Sequence, residues 1–346
     1  MQANNALHPN SDYLIARLTA LWALAESGLG GYMHAMKIPF TGIVLGGTAI
    51  VVISLIAWFS KTPFQSILRA TLLVLLVKFT VSPHTSPFAY IAVSFQGLMG
   101  ALILSLPFSR ALSLPLFMLI AMLESALQKF IVATILFGKD LWVALDESAQ
   151  KMAGELGVSQ EWSGNFSLKM IGAYCLLYAV WAMILSLWAY RLPYQIERKK
   201  AHILQEFSEL SKPERVPEVG KKKGSKKWIG LLFVFAFLAL SFFIHYSKEQ
   251  ASEKALVLLV RTIAVLLFYL YALAPALKWL LARISQSQKN KNSINQVLGE
   301  LPELGKLLPV SWRLARQSKE GWQRYPEFLL NVIVLSLYLN EPDHPV

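Results

Sequence analysis

One cysteine, Cys175, stands among the 346 residues, so neither a disulfide framework nor a thiolate metal site can be built from this chain. Charge is scarce as well. Asp, Glu, Lys and Arg together make up 16%, against roughly 25% in a soluble domain. The six histidines lie scattered at 8, 34, 84, 202, 245 and 344, without the spacing of a metal site. No G-x-x-x-x-G-K-[ST] is present, which excludes ATP binding through a P-loop of the chain's own. H-E-x-x-H and G-x-S-x-G are missing too, as are D-x-x-D clusters at span ends. No catalytic constellation, metal or cofactor is therefore expected, and the chain does not read as an enzyme. The opening MQANNALHPNSDY lacks a basic n-region and a small-residue cleavage site, so no cleaved signal peptide is expected.

What is abundant is apolar sequence. Residues AVILMFWYC form 55% of the chain and the mean hydropathy is +0.46, as in a polytopic membrane protein. Helices satisfy their own backbone in lipid, and no ten-residue alternation suggests a barrel. The pattern predicts an all-α fold with eight spans, roughly at 14–31, 41–59, 66–81, 88–107, 112–137, 166–191, 228–246 and 255–281. The net charge of +12 would suggest nucleic acid in a soluble protein. Here it clusters between the spans, where the positive-inside rule accounts for it, and no nucleic-acid partner is expected.

Loop charge sets the expected orientation. Residues 193–227 hold ten Lys/Arg against five acids, and residues 278–324 hold nine against three; both read as cytoplasmic. Residues 138–165 hold two lysines against five acids and read as external. Loops 60–65 and 108–113 then fall inside, and 32–40 and 82–88 outside, with both termini cytoplasmic in a bacterial inner membrane. Four parts follow: a six-span module over 1–192, a basic linker over 193–227, a two-span hairpin over 228–283 and an amphipathic tail over 284–346. The tail ends in FLLNVIVLSLYL, too short to span and suited to an interfacial helix or one packed on a partner.

Ionisable groups inside spans are costly and need a reason. Arg17 and Arg69 fall near cytoplasmic helix ends, where they can snorkel, and Lys169 and Arg261 lie near external ends. Glu26, Lys78, Gln96, Glu124, Gln128 and Lys129 come to the outer half of the first module, with Glu124 and Gln128 one helical turn apart. Two readings stand side by side. The four charges neutralise each other as buried pairs, or the group lines a polar pocket open to the outside, joined by Trp22, Tyr32, His34 and Tyr90. In ARLTALWALA, Ala16 and Ala20 are four apart and Ala23 follows, a small-residue face on which helices approach closely in lipid.

These features resemble the substrate-binding (S) components of energy-coupling-factor vitamin transporters. The likeness rests on six spans with both ends inside, the Ala-x-x-x-Ala start, the loop ESGLGGYMHAMKIPFTG and the stretch SPHTSPFAYIAVSFQGLMGALI, and covers about residues 12–192. The resemblance implies a six-helix substrate module binding a small molecule from outside, with the 32–40 loop as a gate and Glu26, Lys78, Gln96, Glu124 and Gln128 in the pocket. It also implies that Ala16 and Ala20 dock on a transmembrane coupling subunit working with separate ABC-type ATPases. The hairpin and tail depart from that pattern. SWRLARQSKEGWQRY, with Arg313 and Arg316, loosely resembles a coupling helix, and equally suits anionic membrane lipid. The expected function is uptake of a vitamin-like small molecule. The alternative is a membrane scaffold whose tail recruits a partner.

Overall fold

The computed structural model describes residues 10–30, 33, 41–82, 85, 87–155, 165–210 and 251–339. Every regular element among them is helical. Six helices are long and apolar enough to cross a membrane, with windows at Gly42–Phe59, Pro63–Val81, Pro87–Leu104, Arg110–Phe137, Phe166–Glu209 and Leu259–Ser285. They coincide with six of the eight expected spans. The span expected at 228–246 lies outside the described residues. The one expected at 14–31 is instead helix α1 (Ser11–Leu24), which runs into a π turn (Ala25–Leu29) and is not among the six.

The remaining helices are α2 (Thr41–Phe59), α3 (Pro63–Val81), α4 (Pro87–Leu104), α5 (Arg110–Phe137), α6 (Asp140–Glu155) and α7 (Phe166–Leu210). After them come α8 (Ala251–Phe268), a second π turn (Tyr269–Leu273), α9 (Ala274–Ser285), α10 (Gln288–Ser318) and α11 (Arg324–Tyr338). The chain forms two compact units. The first holds residues 1–125, 178–216 and 278–346, and the second holds 126–177 and 217–277.

In the first unit α1 is the central element. It packs on α2, α3, α10 and α11, and Leu14, Leu18, Ala20, Trp22 and Ala23 are almost wholly buried. The apolar run of α1 is suited to that position, with Arg17 and Thr19 the polar groups buried on it. Helices α3 and α4 lie close at Gly97, where an added Cβ would be 2.8 Å from the Thr71 Cβ. At Gly100 it would meet Ile53 and Phe117. Small residues permit such close approach where no hydrophobic force separates helix from lipid.

The tail belongs to this unit. Leu330 to Tyr338 on α11 are all buried, against α1 and α10, so the final apolar run is covered by its own chain. Polar contacts fix it further. Lys199 Nζ on α7 donates to both oxygens of Glu327 at 2.6 and 2.8 Å, and the Tyr338 hydroxyl donates to Glu197 at 3.2 Å. Asn331 donates to the Ser311 carbonyl.

Arg17 corrects the snorkelling expectation. It is 3% exposed, its Nε donates to the Ser336 carbonyl at 2.7 Å, and its Nη1 lies 3.5 Å from Glu300. Arg69, read the same way, is exposed. Helix α7 runs across the expected start of the linker and continues to Leu210 with Pro193 inside it. Proline leaves the carbonyl four residues before it without a helical donor. That carbonyl belongs to Ala189, and Arg110 Nη2 donates to it at 3.1 Å.

In the second unit, the stretch expected as an external loop carries α6. Asp146 on α6 accepts from the Ser167 backbone N–H at 2.6 Å and from its hydroxyl at 3.1 Å, capping the start of α7. Phe130, Trp142 and Tyr174 form a ring cluster. Arg261 and Thr262 on α8 donate to the carbonyls of Thr134 and Leu136. Arg261 also crowds Gly138, whose φ of +76° suits glycine.

Candidate functional site

Glu26 sits on the π turn that ends α1. A π turn adds a residue to the helical repeat and is frequent at functional sites. Glu26 is 7% exposed and Lys78 on α3 is 5% exposed, and Lys78 Nζ donates to Glu26 Oε2 at 2.6 Å. Two charges so far from water are tolerable because each answers the other. For these two, mutual neutralisation is what the structure shows.

Gln96 on α4 belongs to a different cluster. Its Nε2 donates to the Ser125 hydroxyl at 3.3 Å, which itself donates to the Ala121 carbonyl. Both face α2 at Gly46, where an added Cβ would lie 3.3 Å from the Gln96 Nε2 and from the Ser125 Oγ. One turn earlier, a Cβ at Gly42 would lie 3.1 Å from the Tyr178 hydroxyl. Gly42 and Gly46 thus admit the polar side chains of three neighbouring helices into the interior of the first unit.

Three buried polar atoms, one each on α1, α5 and α7, make no hydrogen bond among the described residues: Trp22 Nε1, Glu124 Oε2 and Trp181 Nε1. Trp22 is fully buried, whereas Glu124 is half-buried and makes no ion pair among the described residues. Burying such groups unpaired is costly. Tyr90 is buried as well. Gln128 and Lys129 belong to the second unit. There Lys129 is exposed and donates to the Tyr174 hydroxyl at 3.1 Å, and Gln128 is half-buried. Tyr32 and His34 lie outside the described residues, as does all of the 32–40 loop except Met33. The structure therefore divides the expected pocket residues: one ion pair, one amide–hydroxyl cluster, a lone carboxylate, and a lysine turned to a tyrosine.

Of the residues expected to dock a partner, Ala20 and Ala23 are fully buried on a helix enclosed by its own unit, and Ala16 is half-buried. In this conformation that face is occupied by the chain itself. Arg313 and Arg316 are exposed on α10 together with Lys306. Glu300 on the same helix is held above the usual carboxylate range by burial, with Arg17 opposing and Glu303 reinforcing the shift.

Sequence reasoning missed a cavity of about 590 Å³ at the end of the first unit that carries the 60–63 and 104–110 turns. Arg110, Lys61, Trp58, Tyr190, Tyr194 and six serines are among its lining, which contains no Asp or Glu. The Arg110 guanidinium lies 4.0 Å from the Trp58 ring centre and 5.6 Å from that of Tyr190. Serine-rich turns carrying one basic residue each were the available signal, in FSKTP and LSLPFSR. The Gly-x-x-x-Gly of GIVLG at 42–46, inside the span expected at 41–59, was likewise a packing signal. No family model, no curated protein and no solved structure matches this chain.

Proposed function

We propose that this chain is the membrane component of an uptake system for a vitamin-like small molecule, binding it from the external side and relying on a separate ATPase. The observation that carries this reading is the set of polar groups left unsatisfied inside the first unit. Glu124 Oε2 and Trp22 Nε1 are buried without partners among the described residues. An acceptor carboxylate and a donor indole suit a small ligand with both hydrogen-bonding senses. Ionisable groups at such depth mark binding sites and pathways in membrane proteins. The resemblance to S components and the lack of a nucleotide motif point the same way.

The docking expectation takes a different form. With Ala20 and Ala23 enclosed, a cytoplasmic partner would meet the exposed basic face of Lys306, Arg313 and Arg316 or act after the tail has moved. The same face supports a second reading, a scaffold that recruits an acidic partner, and Trp322, 87% exposed beside it, favours contact with protein or membrane. Native mass spectrometry of the purified chain separates the two. The uptake reading expects a co-purifying small molecule on the wild type that is lost on Glu124→Gln and Trp22→Phe. A ligand-free chain that retains a protein partner through Arg313 and Arg316 would replace it with the scaffold reading.

A further inference from the structure

We infer that the 590 Å³ cavity beside Arg110 is a second binding site, one that takes a phosphate group. Its size falls within the range of ligand pockets, roughly 300–1,000 Å³. Its lining carries Arg110 and Lys61 and no carboxylate, so its charge is of one sign. Serine and tyrosine hydroxyls supply further donors around the two cations.

Arg110 is built to hold an anion there. Its Nη2 is committed to the Ala189 carbonyl that Pro193 frees, and its guanidinium carbon lies over the Trp58 ring, 4.0 Å from its centre. Its Nη1 is buried and makes no hydrogen bond among the described residues. A guanidinium locked by one hydrogen bond and one ring, with a donor edge unspent, is pre-organised for phosphate oxygens. Lys61 is exposed, a mobile second cation at the same opening.

Phosphate chemistry has two sources here. It could come from the headgroup of an anionic lipid or from a soluble phosphate ester. Leu106, Phe108, Leu112 and Tyr194 are each more than 40% exposed around these turns, an apolar rim that suits acyl chains. Basic pockets between membrane helices bind anionic headgroups in this manner. The site is independent of the uptake reading, since neither Glu124 nor Trp22 is in its lining.

The test is native mass spectrometry of the full-length chain in detergent with added phosphatidylglycerol, phosphatidylcholine or inorganic phosphate. Phosphatidylglycerol retained about tenfold better than phosphatidylcholine is expected, from one charge-assisted contact. Arg110→Gln, which removes the guanidinium charge, is expected to remove that preference. Lys61→Gln, at an exposed position, reduces it with the fold intact and carries the test if the first variant does not fold. Retention that survives millimolar inorganic phosphate identifies a lipid headgroup, and displacement by phosphate identifies a soluble ester. Equal retention of both lipids with no phosphate binding overturns the proposal, as does a preference unchanged in both variants.

Discussion

The Nε of Arg17 donates to the carbonyl oxygen of Ser336, 319 residues away, across 2.7 Å. Among the described residues, this bond ties the first helix to the last. With the Glu300 carboxylate 3.5 Å from the same guanidinium, it makes the tail a structural part of the first unit. Arg17→Met should therefore cost about 3 kcal/mol, because it strands a part-buried carboxylate. The check is a lower denaturation midpoint together with earlier protease cleavage of α10. Glu300→Gln in the Arg17→Met background should recover part of the loss.

The same pair gives a pH dependence. Burial raises the Glu300 carboxyl above its ordinary value, so the folded chain holds that proton more tightly than the unfolded one. Its contribution to stability is full below the ordinary carboxylate pKa and is lost as pH rises through the raised one. Apparent melting temperature measured from pH 4 upward should fall through that window in the wild type. The fall should be shallower in Glu300→Gln.

Glu26 and Lys78 are a closed pair at 2.6 Å. Lys78→Met or Glu26→Gln alone should each cost about 3–5 kcal/mol by leaving the other group buried without its partner. The double substitution should return most of that stability in an SDS-unfolding series. Additive losses would mean that the two act separately.

Gly97 sets the approach of α3 to α4. Gly97→Ala places a methyl against Thr71 and should cost about 1–3 kcal/mol by overpacking. Thr71→Ala combined with it should relieve part of the cost, since the Oγ1 and Cγ2 contacts are removed and the Cβ contact remains. Gly172, with open space around it, should accept alanine with a far smaller effect.

Much of the frame was legible because lipid imposes a length and a composition. Gly42–Phe59 and Pro87–Leu104 could be read from hydropathy alone. Glu26 and Lys78 stood out because charges in apolar segments must be answered, and they answer each other. Arg17 could not be read so, since its partners come from the far end of the chain and nothing local distinguishes a snorkelling arginine from a paired one. That α7 continues through Pro193 was hidden for a related reason: Arg110 supplies the hydrogen bond that proline removes, and that donor comes from another helix. The cavity was hidden because turns distant in sequence meet only after α2 to α5 have packed.

The most direct measurement of the central claim is access to Glu124 from outside the cell. In a Cys175→Ser background, which leaves the chain without cysteine, Glu124→Cys would be treated in intact cells with a membrane-impermeant maleimide. The account predicts labelling from the external side, slowed when the co-purifying ligand is added back. Labelling only in everted vesicles, or in neither preparation while an exposed control cysteine at Ser148 reacts, would contradict it.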